Sequence, residues 1–141
     1  MKTKQKGFTL IELMVVVIII CVLAPIAWIN YQKYVVSTNR TAASACLLEQ
    51  SQFMERFYTQ HMSYKKKRNG ERVSLPSTSC SNELSKYYTF DLTEVDDSFY
   101  TITATAIGIQ GNRDKDCKSL SIDDTGKKSA DGPGGVEKCW K

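Results

Sequence analysis

The sequence predicts an α+β protein in which one long N-terminal helix packs on an antiparallel sheet of three to four strands. Three observations predict it. Residues 8–29 form an apolar run broken by a single charge, Glu12. Residues 30–62 carry apolar side chains at three- and four-residue spacing, the period of a helix with one buried face. From residue 87 onward the pattern changes to short alternating segments separated by Asp-, Ser- and Gly-containing turns.

The apolar run is 22 residues long, about 33 Å as a helix and enough to cross a hydrocarbon core. Ten Leu, Ile and Val residues lie between Leu13 and Ile26, and together they favour insertion by about 3–6 kcal/mol. One carboxylate in lipid costs a few kcal/mol and less near the membrane edge, so the segment inserts despite Glu12. A cleaved secretory signal would have a shorter run, no acid and an Ala-x-Ala-like exit. Here Val22-Leu23-Ala24 runs straight into Pro25. A lipoprotein signal would need a small residue before Cys21, and Ile20 is not small. An ordinary signal anchor leaves Glu12 unexplained, and an acid inside a membrane segment is a functional residue by default.

With 141 residues there is room for one modest domain beyond that segment. The formal charge is +4, but Lys2, Lys4 and Lys6 precede the apolar run; the remaining 16 Lys and Arg face 15 Asp and Glu. A globally basic nucleic-acid binder is not indicated. The three leading cations place residues 1–7 in the cytoplasm and residues after 30 outside. Of five cysteines, Cys21 sits in the apolar run as a small hydrophobe. Cys46, Cys80, Cys117 and Cys139 form an even set in an oxidising compartment. Four cysteines allow three pairings, which sequence alone does not choose between. With no Cys-x-x-Cys and only His61 to assist, disulfides are the reading rather than a metal site.

The helix is expected to continue through 30–62, with Tyr31, Tyr34, Val35, Thr38, Ala42, Ala45 and Leu48 on its apolar stripe. Ala43, Leu47, Met54, Phe57, Tyr58 and Met62 carry the stripe onward. Pro25 removes one helical hydrogen bond and is expected to kink or locally melt the helix. Residues 63–86, polar and broken by Gly70 and Pro76, read as the loop from helix to sheet. Strands are expected at 87–92, 99–107 and 118–123, with a fourth at 127–130. Tyr100, Ile102, Ala104 and Ala106 share one face of the second, and Leu120 and Ile122 point inward from the third. Asp96-Asp97-Ser98 and Asp124-Thr125-Gly126 supply turns, and 131–135 reads as loop.

Catalytic chemistry finds no support. The chain has one histidine, His61, and lacks a Gly-rich phosphate loop, a nucleophile elbow and a His-Glu-x-x-His motif. Acids pair at Asp96-Asp97 and Asp123-Asp124, where turn chemistry explains Asp better than calcium does. No cofactor and no metal ligand set is expected. Lys65-Lys66-Lys67-Arg68, with Arg72 and Tyr64 beside them, is the one concentrated basic run. Such a run binds DNA phosphates or, more commonly, is simply a solvated loop.

The stretch Lys6-Gly7-Phe8-Thr9-Leu10-Ile11-Glu12 resembles the class III signal of the type IV pilin family, with a basic leader, Gly at the cut, Phe after it and Glu at the fifth mature position. The resemblance implies that residues 1–7 are removed by a prepilin peptidase, which also methylates the new amino terminus of Phe8. Residues 8–29 then become the membrane and filament-core helix, and 30–141 the periplasmic or extracellular domain. It further implies that Glu12 neutralises the α-amino group of Phe8 on a neighbouring subunit, since an unpaired charge is costly in an apolar core. The distal Arg113-Asp114-Lys115-Asp116-Cys117, Gly126 and Cys139-Trp140, with Tyr31-Gln32-Lys33-Tyr34 and Ser37-Thr38-Asn39-Arg40-Thr41, look like PilE-type minor pilins and the related DNA-binding ComP. In that group the terminal pair closes a D-loop, which carries over as Cys117 with Cys139 and leaves Cys46 with Cys80. The family usually has Gly near the place of Cys21 and Pro at that of Ile29; this chain has neither.

Three functions follow from the resemblance, with a major pilin as a further alternative to the first. The preferred one is a minor pilin that helps initiate or tip a type IV pilus and so supports twitching, adhesion or DNA uptake. Its partners are major and minor pilins, the prepilin peptidase, the inner-membrane assembly platform and the inner membrane itself. The second is a DNA receptor within the filament, acting through Lys65, Lys66, Lys67 and Arg68. The third is a type II secretion pseudopilin, disfavoured by the terminal disulfide with Trp140.

Overall fold

The computed structural model describes residues 7–140. The expected leader therefore lies almost entirely outside the described residues. Helix α1 spans Leu10–His61. No residue within it leaves the helical state, so the local melting expected at Pro25 does not occur. A proline ring removes one N–H, and the flanking hydrogen bonds suffice to carry the helix through. The chain divides into two compact units, one ending at Val35 and the other starting at Val36. In the first, residues 7–31 are exposed throughout, on a helix long and apolar enough to cross a membrane.

The second unit builds its own core. After α1 come α2 (Ser79–Glu83), β1 (Tyr88–Val95), β2 (Tyr100–Ala106), α3 (Gly108–Arg113), β3 (Ser119–Asp123), β4 (Lys128–Asp131) and α4 (Gly135–Cys139). The strands form one antiparallel sheet in the order β1-β2-β3-β4, the α+β meander expected from the alternation. Cross-strand register aligns Leu92 with Ile102 and Ile122, and Phe90 with Ala104 and Leu120. Alternation then puts Tyr88, Tyr100, Ile102, Ala104, Leu120 and Ile122 into the core and leaves Thr and Ser on the outer face. A register shift between Leu92 and Glu94 frees Thr93, whose hydroxyl pairs with that of Thr103 at 2.9 Å.

The face that α1 turns to the core is Ala43, Cys46, Leu47, Gln50, Met54 and Phe57. Ala42, Ala45 and Leu48, expected on the buried stripe, are exposed, as are Tyr31, Tyr34 and Met62. The one expected stripe in fact runs along two lines a residue apart, about 100° of helix rotation, and only the line through Ala43 and Leu47 enters the core. The loop expected at 63–86 also holds more structure than its polarity suggested. Thr78 caps α2 through a reciprocal pair of contacts with Ser81, and Lys66 bridges to Arg72.

Two disulfides join Cys46 to Cys80 and Cys117 to Cys139. They tie α1 to α2, and the entry of β3 to α4. Near the second, a Cβ on Gly132 would stand 2.4 Å from the Asp116 carbonyl at a φ of +127°, so only glycine lets these two loops approach. A buried polar network then clips this end of the domain to α1. Arg40 makes a two-pronged ion pair with Asp114, at 2.8 and 2.9 Å, and donates to the Lys138 carbonyl. Gln110, buried on α3, donates to the Val36 carbonyl at 3.0 Å and to the Tyr88 hydroxyl at 3.1 Å. Burial pushes the Tyr88 phenol up to about 12, so it stays neutral.

The Arg40 side chain is only 14% exposed, so leaving its charge unpaired is costly. Asp114→Ala should lower the unfolding free energy by about 3–5 kcal/mol, and the double change Arg40→Met, Asp114→Leu by much less. Denaturant midpoints of the three proteins measure it.

Candidate functional site

The first candidate is the N-terminal motif. Gly7, Phe8 and Thr9 precede the helix, and the Thr9 hydroxyl accepts from the Glu12 backbone N–H at 3.3 Å. Thr9-Leu10-Ile11-Glu12 is thus the forward half of a capping box, and the Glu12 carboxylate sits in the first turn where the helix dipole favours it. Thr9 was not singled out from sequence, although the Thr-x-x-Glu spacing carries the signal. Glu12 forms no ion pair among the described residues, and its surroundings, Phe8, Leu10 and Ile11, are all exposed. Among the described residues a Cβ on Gly7 would meet nothing within 4 Å.

The second candidate is the basic run, which forms a small hairpin between α1 and α2. Val73 N–H donates to the Lys65 carbonyl and Lys67 N–H to the Glu71 carbonyl, at 2.9 and 2.8 Å, with Gly70 at a φ of +86° in the turn. Ser63 organises its base, accepting from the Lys65 and Lys66 N–H groups and donating to Asp97 at 2.7 Å. The five cations are not equivalent. Lys65 pairs with Asp96 at 3.1 Å and Lys67 with Glu71 at 2.9 Å. Lys66, Arg68 and Arg72 are exposed and make no ion pair among the described residues. The Lys65 ammonium beside Asp96 holds that carboxyl below its ordinary value, and Lys67 does the same to Glu71.

Tyr64 is buried rather than available beside this run. It stacks on Tyr58 at 4.5 Å, meets the edge of Tyr100 at 4.8 Å, and donates to Glu55 at 3.1 Å. Burial and that carboxylate push its phenol up to about 12. The acid pairs act as turn residues: Asp123 accepts from the Thr125 hydroxyl and the Thr125 and Lys127 N–H groups. Among the described residues no group of three or more His, Cys, Asp or Glu could hold a metal ion. His61 packs its ring 4.4 Å from Phe57.

Two family models match. One, described as the type IV minor pilin ComP, DNA uptake sequence receptor, covers residues 30–121; the other, the prokaryotic N-terminal methylation motif, covers residues 2–24. The chain is 30% identical to the type IV major pilin protein PilE1 of Neisseria gonorrhoeae over 122 residues, 86% of this chain and 70% of that one. It is 48% identical to the type IV major fimbrial protein FimA of Dichelobacter nodosus over 60 residues, 35% of this chain. That match spans only 38% of FimA. Among solved structures, a type IV pilin from Shewanella oneidensis aligns with a TM-score of 0.48 and 22% identity, over 66% of this chain and 89% of that one.

The hairpin ion pair sets a pH prediction. A carboxyl whose folded pKa is depressed stabilises above its unfolded pKa and loses that contribution as pH falls through the folded value. Lys65→Ala should therefore raise the Asp96 carboxyl toward its ordinary value, with the Asp97 N–H still holding it lower. In the parent, protection of the Val73 amide should hold above about pH 4 and fade only below it. A carboxyl-detected NMR titration reads the first and hydrogen exchange the second.

Proposed function

The chain belongs to the type IV pilin family, and we propose that it is a minor subunit of a type IV pilus, held in the inner membrane until it joins the fibre. It is a structural protein rather than an enzyme. The observation that carries the proposal is the pairing of an N-terminal methylation motif with a folded part matched, over residues 30–121, by the model described as a minor pilin. The proposed sequence of events uses the chain's own features. A prepilin peptidase cuts between Gly7 and Phe8 and methylates Phe8; the open space around Gly7 supports a glycine chosen for an external reader rather than for the fold. Residues 8–29 remain as a single membrane span with the C-terminus in the periplasm. The assembly platform then moves the subunit from lipid into a fibre of major and minor pilins. There Glu12, exposed and without an ion pair among the described residues, neutralises the Phe8 amine of a neighbour and fixes the register between them.

A second reading, that the subunit also receives DNA, is favoured by the hairpin and by the same model's description as a DNA uptake sequence receptor. Lys66, Arg68 and Arg72 would be its phosphate contacts, because Lys65 and Lys67 are already paired.

Glu12→Ala should leave the chain inserted and cleaved but lost from sheared fibres; unchanged incorporation would remove the proposed role of Glu12. For the second reading, Lys66→Glu with Arg68→Glu should cut DNA binding and flatten its salt dependence by about two units of slope, one per lost phosphate contact. Intact fibres with undiminished DNA binding would sink it.

A further inference from the structure

The two edges of the sheet are finished differently. At one edge β4 has four residues, and the Trp140 indole donates to its Ser129 carbonyl at 2.7 Å. At the other, β1 has eight residues and pairs only with β2. The Ile107 N–H donates to the Tyr87 carbonyl at 2.8 Å, which sets the phase of that ladder. Thr89 and Asp91, opposite Thr105 and Thr103, follow in the same phase and turn their main-chain groups to β2. The main-chain groups of Tyr88, Phe90 and Leu92 therefore point away from it. Tyr88 N–H is met by the Leu84 carbonyl at 2.8 Å. The N–H and C=O groups of Phe90 and Leu92 have no partner among the described residues, and such a row is a template for another strand.

The surroundings select the strand that fits. Leu75, Pro76 and Ser77 run beside this edge without bonding to it, leaving a cavity of about 360 Å³ against Thr89, Phe90 and Asp91. Phe90 and Leu92 pack on the core, as does Leu75. Alternation turns Asp91 to the outer face of the sheet, and the bulge brings Glu94 there too, opposite Thr101. Both carboxylates are exposed, and neither has an ion pair among the described residues. We propose that the β1 edge docks an extended segment of another protein, one that alternates apolar and basic side chains, as a fifth strand of the sheet. Its main chain bonds to Phe90 and Leu92, and its apolar side chains continue the core face. Its basic side chains stand beside Asp91 and Glu94 on the outer face. A second copy of β1 paired about Asp91 would set two carboxylates opposite each other, which disfavours it.

The test titrates the full-length chain, in nonionic detergent micelles, with a short Lys-Val repeat peptide, with its Glu-Val counterpart, and with the Lys-Val peptide N-methylated on its valines or on its lysines. The Lys-Val peptide should slow hydrogen exchange at the Phe90 and Leu92 amides by at least about tenfold, with the Thr103 amide, already held by β1, unchanged. The Glu-Val peptide should bind at least about tenfold more weakly, and Asp91→Lys, on an exposed residue, should reverse that preference. The N-methylated form that loses its N–H groups toward β1 should give no protection, while the other binds like the parent peptide. Equal binding of the Lys-Val and Glu-Val peptides, or full binding by both N-methylated forms, would overturn the proposal. So would protection of Phe90 and Leu92 by self-association of the chain without peptide, which would assign the edge to a second copy.

Discussion

The first unit cannot cover its own apolar surface, and much of the molecule's behaviour depends on that. Its ten Leu, Ile and Val side chains between Leu13 and Ile26 are all exposed, on a helix that has, among the described residues, no second element of its own unit to pack against. Leaving them in water costs on the order of 15–30 kcal/mol, more than the roughly 5–15 kcal/mol that holds a typical domain together. No rearrangement within the domain offsets such a cost. Lipid, or the same segment on other subunits, has to supply the cover. Glu12 shares the constraint, because a carboxylate moved into either surrounding needs a partner of opposite charge.

The second unit is arranged so that it does not share this dependence. It closes its core with side chains from α1 and the inner face of the sheet. Its chain ends are then fixed covalently, by Cys46–Cys80 near the entry and Cys117–Cys139 near the exit. Arg40 and Gln110 add a polar clip between α1, α3 and the C-terminal tail. With the ends held, the pieces between them are free to carry exposed charge. The hairpin at 65–73 uses Asp96 and Glu71 to hold its base and turn, and presents the remaining cations outward.

What was legible in the sequence follows from how each element is encoded. The apolar run and the alternating strands are periodic over many residues, so α1 and the sheet were readable nearly to their ends. The phase of α1 was harder, because Ala42, Ala45 and Leu48 are as apolar as the line through Ala43 and Leu47. Cys46 and Gln50 decided between the lines, through a disulfide and a buried amide that composition cannot place. The short helices α2, α3 and α4 have five or six residues each, too few for a period, and arise from capping and tertiary contact. The basic run was visible, but which cations are free was not, since Asp96 lies 31 positions from Lys65. The Arg40–Asp114 pair, separated by 74 positions, was invisible for the same reason.

In the proposed function residues 8–29 exchange lipid for other subunits. Its most direct test is mass spectrometry of fibres sheared from cells, scored for this chain and its first residue. The account predicts a small share of the fibre, beginning at N-methylated Phe8. A chain found only in the membrane, absent from fibres whose other subunits are intact, would contradict it.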